Sequence, residues 1–216
     1  MKKIGDQIVP AIISGNEKEL HEKVEMIKNE VSKIHIDVMD GNFVPRESTW
    51  FPFSLPKFGG MYEAHLMIRD VSGWLKKYSS SFDSIVFHAE IGNHNLLLQT
   101  IGKIHEMKKL AILAFNPETP WENYLDLIHK VDGVQVMCVH PGSYGADFIP
   151  RTLDKVKSLK AHYPRLSVQV DGGMREHTLI LEKKAGADLF VVGGRIFRAE
   201  DPLKSLWVLE KAMRNI

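Results

Sequence analysis

Ile34-His35-Ile36-Asp37-Val38-Met39-Asp40-Gly41 is an apolar, β-branched run that carries two polar side chains and then stops at a charge and a turn residue. His35 and Asp37 are two positions apart, so on a strand they point to the same face. Three more segments share the design: Glu63-Ala64-His65-Leu66-Met67, Ser84-Ile85-Val86-Phe87-His88 and Val168-Gln169-Val170-Asp171-Gly172-Gly173. Each is a short strand-like run ending in a side chain that can ligate a metal. Together they offer a two-histidine, two-carboxylate set in which the carboxylates can also move protons.

Working outward from these runs, strand signals recur at 8–14, 33–40, 62–68, 84–90, 110–116, 133–140, 166–172 and 189–194. Helical spacing appears between them. Leu20, Val24 and Ile27 mark 17–29; Leu97, Ile101 and Ile104 mark 96–107; Leu153, Val156 and Leu159 mark 153–162. The stretches 176–185 and 202–212 follow the same rule, and another helix is expected from near Trp121. Pro202 suits a first helical turn, where its missing N–H costs nothing. Eight strands alternating with helices predict parallel pairing, because crossover helices impose it. Nearly continuous apolar runs fit strands covered on both faces. The expected architecture is one (β/α)₈ TIM barrel domain over 1–216, at the short end of that fold's range. The rival open doubly wound sheet lacks its Gly-x-Gly-x-x-Gly turn after the first strand. The stretch 40–60 holds Pro45, Pro52 and Pro56 and is long for a loop.

Composition excludes several classes. Lys+Arg 28 against Asp+Glu 27 leaves a net charge of +1, which argues against a nucleic-acid surface or a polybasic membrane contact. The single cysteine, Cys138, lies in an apolar run and reads as a packing residue. It rules out a disulfide within the chain and fits a reducing compartment. No run approaches the roughly 18 apolar residues of a spanning helix, and the first six residues lack a signal peptide's apolar stretch. A cytoplasmic protein is expected.

In a barrel, active sites form at the C-terminal ends of the strands. Ser14, His35, Asp37, His65, His88, Glu90, Asn116, His140 and Asp171 all fall there, and the eighth strand ends at Gly193-Gly194. A lone strand-end histidine is usually structural. Eight strands ending this way are harder to explain so. Asp37 lies inside an apolar strand, where an unpaired charge costs several kcal/mol; a bound cation would remove that cost.

Over nearly its whole length the chain resembles the ribulose-phosphate 3-epimerase family. The match runs through Pro10-Ala11-Ile12-Ile13-Ser14, through His35-Ile36-Asp37-Val38-Met39-Asp40-Gly41 with Phe43-Val44-Pro45, and through His65-Leu66-Met67. It continues through Asn116-Pro117, Met137 with Pro141-Gly142, Phe148-Ile149-Pro150, Val170-Asp171-Gly172-Gly173 and Gly186-Ala187-Asp188. The resemblance implies a (β/α)₈ barrel of the ribulose-phosphate-binding type that inverts one carbinol centre of a ketose phosphate. It implies a divalent metal on His35, Asp37, His65 and Asp171, with the two aspartates as acid and base. It also implies a homo-oligomer, a place in carbohydrate metabolism (the pentose phosphate pathway), and a site lined by Met39, Met67 and Met137. The plainer reading of these methionines is barrel packing, with Met137 balanced between the two.

The chemistry agrees with that set. Epimerisation beside a ketone removes a proton from one face of carbon 3 and delivers one to the other. Carboxyls on the second and seventh strands can flank a flat intermediate. Two carboxyls sharing a site resist double ionisation, which favours one charged and one protonated. A Lewis-acidic ion stabilises enediolate oxygens without redox chemistry. Mixed imidazole and carboxylate ligands suit Zn²⁺, Fe²⁺ or Mn²⁺. Ser14 either contacts substrate or caps the helix near Glu17; His65 is a second substrate contact. A phosphate dianion can be held by backbone N–H groups at Gly142, Gly145, Gly172, Gly173, Gly193 and Gly194.

The departures from the family gather in loops. Its Pro-Gly-Phe-Gly-Gly-Gln reads Pro141-Gly142-Ser143-Tyr144-Gly145-Ala146 here, and its Gly-Ser-Ala reads Gly193-Gly194-Arg195. Arg195 either grips phosphate or points to solvent beside Glu200 or Asp201. Arg46, Asn42 and Ala11 replace an asparagine, a histidine and a serine. The leading reading is a metal-dependent 3-epimerase interconverting D-ribulose 5-phosphate and D-xylulose 5-phosphate. The alternatives are a hexulose-phosphate 3-epimerase acting on allulose 6-phosphate, or a non-enzymatic sugar-phosphate binder on the same barrel. A decarboxylase or aldolase would want a strand-end lysine, and the eight strand ends hold none. His88, Glu90 and His140 receive no role, and His88 leaves the metal set.

Overall fold

A computed structural model describes residues 4–142 and 145–214. Ser143 and Tyr144, the latter one of the family departures, lie outside the described residues. The elements run β1 (Ile8–Ile12), α1 (Glu17–Ile27), β2 (Lys33–Asp40), β3 (Glu47–Ser48), β4 (Met61–Met67), α2 (Val71–Tyr78), β5 (Ser84–His88) and α3 (His94–Glu106). They continue as β6 (Leu110–Phe115), α4 (Leu125–Ile128), β7 (Gly133–Met137), α5 (Thr152–His162), β8 (Ser167–Asp171), α6 (Glu176–Ala185), β9 (Leu189–Val192), α7 (Gly194–Phe197) and α8 (Pro202–Arg214). The strands pair in the order β1-β9-β8-β7-β6-β5-β4-β2, and β1 pairs with β2 to close the ring. All eight barrel pairings are parallel. The expected (β/α)₈ barrel is the fold.

Period-two alternation separates two interiors. Ile34, Ile36 and Val38 of β2 join the large apolar cluster under the helices, with Ala64 and Leu66 of β4 and Val168 and Val170 of β8. The alternate residues point into the barrel. They include Val9, Ala11 and Val191, and Val86, Ile112 and Ala114. They also include a fully buried polar group: His35, Glu63, His65 and Gln135 at 0% exposure. Register stacks this group in layers, with His35 opposite Glu63, Asp37 opposite His65, Gln135 opposite Gln169 and Met137 opposite Asp171. Burying each apolar side chain of the outer layer is worth roughly 1.5–3 kcal/mol.

Side-chain caps fix where helices begin. Asn16 accepts from Glu19 N, Asp70 from Gly73 N and Asn93 from Leu96 N. Asn16, not Ser14, therefore caps α1. Helix α2 was not expected from the sequence, although Val71, Trp74 and Leu75 are its buried face. The helix expected near Trp121 is shorter: a 3₁₀ turn at Trp121–Tyr124 runs into the single turn of α4. Several strands stop earlier than expected, so Ser14 and His140 lie in loops past β1 and β7. The long 40–60 segment is partly ordered by β3, which pairs antiparallel with the end of β2 through Met39–Ser48 and Asp40–Glu47.

Candidate active site

The inward residues near the C-terminal ends of β2, β4 and β8 converge. His35, Asp37, His65 and Asp171 each offer one ligand atom, and these atoms lie within 4.8 Å of one another. His65 Nδ1 is 3.0 Å from Asp37 Oδ1 and 3.4 Å from Asp171 Oδ2. His35 Nε2 is 3.3 Å from Asp37 Oδ1, yet it is buried without a hydrogen-bond partner. Its other nitrogen, Nδ1, donates to Glu63 Oε1 at 2.9 Å. An imidazole held at one nitrogen by a carboxylate, with the other nitrogen orphaned beside two carboxylates, is the arrangement of a metal-ligating histidine. Spacings of 3.0–3.4 Å also suit donors about 2.0–2.2 Å from a shared ion.

The two carboxyls are driven apart electrostatically. At Asp37, burial opposes charge, but the adjacent imidazoles of His35 and His65 outweigh it and hold the carboxyl well below the usual carboxylate range. At Asp171, burial raises the carboxyl and the negative charge of Asp37 raises it further, to about 7. His35 is desolvated, but the neighbouring carboxylates of Asp37 and Glu63 raise it to about 10. Burial pushes His65 and His88 the other way.

Above this floor opens a cavity of about 320 Å³. Asp37 and Asp171 line it, as do Met39, Met67 and Met137, and the six expected glycines Gly142, Gly145, Gly172, Gly173, Gly193 and Gly194. Two of these glycines are demanded by geometry. Gly172 has φ +100°, and a Cβ there would sit 2.3 Å from Val139 Cγ2; Gly173 has φ +69° and would meet Phe148 at 2.8 Å. Arg175, Arg195 and Arg198 stand at the same end.

Other expected residues fall elsewhere. Ser14 is buried and outside the cavity lining, with its Oγ 3.0 Å from Thr49 Oγ1. Thr49 has φ +48°, a strained region for a β-branched residue. Arg195 bonds Glu176 and, at 2.9 Å, Ser205 Oγ, not Glu200 or Asp201. Arg46 is exposed in its loop. His140 pairs with Glu118 at 3.0 Å on the exposed rim. His88 belongs closer to the centre than the sequence reading placed it. It is fully buried, its Nε2 is 2.9 Å from His65 Nε2, and its Nδ1 contacts Glu90 Oε2 at 3.2 Å. Glu90 in turn accepts from Asn116 N at 2.9 Å and from the Thr119 hydroxyl.

Sequence reasoning missed Glu63, Gln135 and Gln169. Each lies two residues before a residue it did select, so each shares that residue's inward face. The alternation rule applied to His35 and Asp37 was the signal for all three.

Comparison with known proteins decides the kinship. The pattern of the Ribulose-phosphate 3 epimerase family matches residues 7–197. The chain belongs to that family. A ribulose-phosphate 3-epimerase of Schizosaccharomyces pombe is 33% identical, covering 91% of this chain and 89% of its own. The one named cytoplasmic isoform in Oryza sativa subsp. japonica is 32% identical over 97% and 95%. The Mycobacterium tuberculosis ribulose-phosphate 3-epimerase is 30% identical over 96% and 93%. Membership makes this epimerase-family chain an isomerase. Among solved structures, 3-hexulose-6-phosphate synthase from Salmonella typhimurium superposes with a TM-score of 0.71 at 15% identity, over 97% of this chain and 99% of that one. KGPDC from Streptococcus mutans gives 0.71 at 15% over 98% of each. At that identity these two share the fold alone. No helix among the described residues is long and apolar enough to cross a membrane.

Proposed function

We propose that this epimerase-family chain interconverts D-ribulose 5-phosphate and D-xylulose 5-phosphate by two-carboxylate proton transfer at carbon 3. The observation that carries the reading is the pair of carboxyls on β2 and β8 that meet at one cavity floor, clustered with the imidazoles of His35 and His65. Asp37, kept ionised, takes the carbon-bound proton from one face. Asp171, kept protonated, delivers one to the other, and the roles reverse for the return reaction.

His35, Asp37, His65 and Asp171 would hold a divalent ion, Zn²⁺, Fe²⁺ or Mn²⁺. The orphaned Nε2 of His35 and the donor spacing support the fit. Such an ion supplies fixed positive charge beside substrate oxygens that become negative. Met39, Met67 and Met137 exclude water from the reacting face. The phosphate lies at the other end, against backbone N–H groups of Gly142, Gly145, Gly172, Gly173, Gly193 and Gly194. His65 touches the sugar. Ser14 would contact the sugar with the hydrogen-bonding capacity its hydroxyl keeps beside Thr49. A homo-oligomer working in the cytoplasm completes the proposal.

Elemental analysis of the purified protein, with solvent-deuterium incorporation into D-ribulose 5-phosphate and allulose 6-phosphate, tests metal, proton transfer and substrate together. About one equivalent of metal and deuterium at carbon 3 of the pentose phosphate are expected. A higher specificity constant on the six-carbon sugar would move the substrate to a hexulose phosphate. Metal-free protein that exchanges no proton on either sugar would leave only a binding role.

A further inference from the structure

Beneath the floor, Glu63 is buried at 0% exposure and takes no part in the proton transfers. Four donors converge on it: Lys33 Nζ at 2.8 Å, Ser84 Oγ at 2.8 Å, His35 Nδ1 at 2.9 Å and Gln169 Nε2 at 2.8 Å. Its Oε1 faces His35 Nδ1 and Gln169 Nε2, and its Oε2 faces Ser84 Oγ and the Lys33 ammonium, so both oxygens are taken up as acceptors and one is ion-paired. An ionised carboxylate only accepts. Gln169 must therefore turn its NH₂ toward Glu63, and the second hydrogen of that NH₂ is donated to Gln135 Oε1 at 2.6 Å. With its oxygen so occupied, Gln135 must turn its own NH₂ away. That group meets Asp171 Oδ2 at 3.0 Å. Each amide's orientation is thus dictated by its neighbour, starting from one acceptor-only group.

The geometry points to a positioning role for this one-way chain, an inference that rests on the epimerase reading of the site. We propose that Glu63, Gln169 and Gln135 give the two oxygens of Asp171 separate tasks. The N–H of Gln135 pins Oδ2 on the side of His65 Nδ1, 3.4 Å away, among the ligand atoms. Oδ1 is left to carry the proton to and from carbon 3. A carboxyl serving as both ligand and acid needs such a distinction, because its two oxygens exchange by rotation about one bond. At its other branch Glu63 fixes the proton of His35 on Nδ1, which leaves Nε2 for the ion. A single buried carboxylate so orients members of the ligand set on β2 and on β8.

The test uses the intact protein and Gln135→Met, which keeps the length and the apolar fit but removes the donor. Zn²⁺ affinity of the metal-stripped protein should fall about tenfold, and kcat on D-ribulose 5-phosphate about tenfold to a hundredfold, with KM within about twofold. Adding Gln169→Met should cost less than a further twofold or so, because the chain is already cut. A thermal midpoint close to wild type shows that the variant is folded. Unchanged Zn²⁺ affinity with unchanged kcat overturns the inference, as does full additivity of the two substitutions. If the wild type turns over no ketose phosphate, the epimerase reading fails on its own, and the Zn²⁺ affinities still decide whether the chain orients Asp171.

Discussion

The floor of the barrel and its rim are built by different means. On the floor, every important side chain sits on a strand, and register sets it opposite its partner. Asp37 faces His65, His35 faces Glu63, and Gln135 faces Gln169. At the rim, glycine turns after β7, β8 and β9 make the surface, and the side chains there come from loops and the short helix α7. On the proposed function, the floor handles the proton and the rim holds the phosphate ester. Floor variants should therefore act on kcat and rim variants on KM.

The largest effect should come from Asp171→Asn. An amide can neither deliver nor take up a proton, so kcat should fall at least about 10³-fold, toward the upper end of what one acid–base group contributes. The thermal midpoint should stay within a few degrees of wild type, and circular dichroism with steady-state kinetics reads both. Near-normal turnover would remove Asp171 from the mechanism and break the contrast at its strongest point. Next is metal removal. Stripping the protein with a chelator should abolish turnover and lower the thermal midpoint. An ion present at about 100 times its Kd stabilises by about 2.7 kcal/mol. Adding Zn²⁺ or Mn²⁺ back should restore both. A chelated protein that keeps its rate would leave the orphaned His35 Nε2 without a purpose.

A perturbed carboxyl alone does not define the floor, and Glu182 shows why. It lies in α6 at 0% exposure, with neither oxygen hydrogen-bonded. Burial pushes it from 4.5 up to about 7, opposed by the Cys138 thiol. It resembles Asp171 in titration, but burial and the Cys138 thiol account for its shift and it lies outside the lining of the active-site cavity. The unfolded chain releases this proton above about 4.5 while the folded chain keeps it to about 7. Folding therefore loses stability as pH rises from about 4.5 to 7, and the loss is constant above that. It amounts to on the order of 3 kcal/mol. Glu182→Gln should flatten the fall in thermal midpoint between pH 5 and 8 and leave kcat unchanged. A variant as pH-sensitive as wild type would reassign that slope to other groups.

The same contrast explains what the sequence made legible. Strand-end residues could be read because period two and a parallel barrel convert spacing directly into position: His35 and Asp37 had to share a face, and β2 and β8 had to present their ends together. The three polar residues beneath the floor obey that rule too, and were overlooked only because they precede the conspicuous ones. His88 was set aside for want of a chemical role, although its strand position put it within reach of His65. Loops offer no such conversion. Ser14 bonds Thr49, whose φ of +48° no pattern foretold. Arg195 had two imagined targets and took a third, because α6 brings Glu176 against it. Helix α2 was passed over because eight residues give a short periodic signal between two strands.

The smallest expected effect tests the rim with two arginines of one segment. Arg195 lines the cavity but spends its guanidinium on Glu176 and Ser205. Arg198 closes α7 and lays its Nη1 2.9 Å from where a Cβ on Gly145 would stand, over the loop after β7. A phosphate seated on the glycine turns would lie within reach of that second cation. Arg198→Ala should raise KM for D-ribulose 5-phosphate about tenfold, about 1.4 kcal/mol of binding, with kcat within about twofold. The difference should shrink as salt is raised, because a rim-exposed charge is screened over roughly 10 Å at 0.1 M. Arg195→Ala should instead lower the thermal midpoint slightly and leave KM nearly alone, since its guanidinium is turned to Glu176 and Ser205. Equal KM values for both variants and wild type would mean that backbone N–H groups hold the phosphate unaided. A fall in kcat with unchanged KM for Arg198→Ala would breach the division between floor and rim, because a side chain remote from carbon 3 would then be acting in the proton transfer.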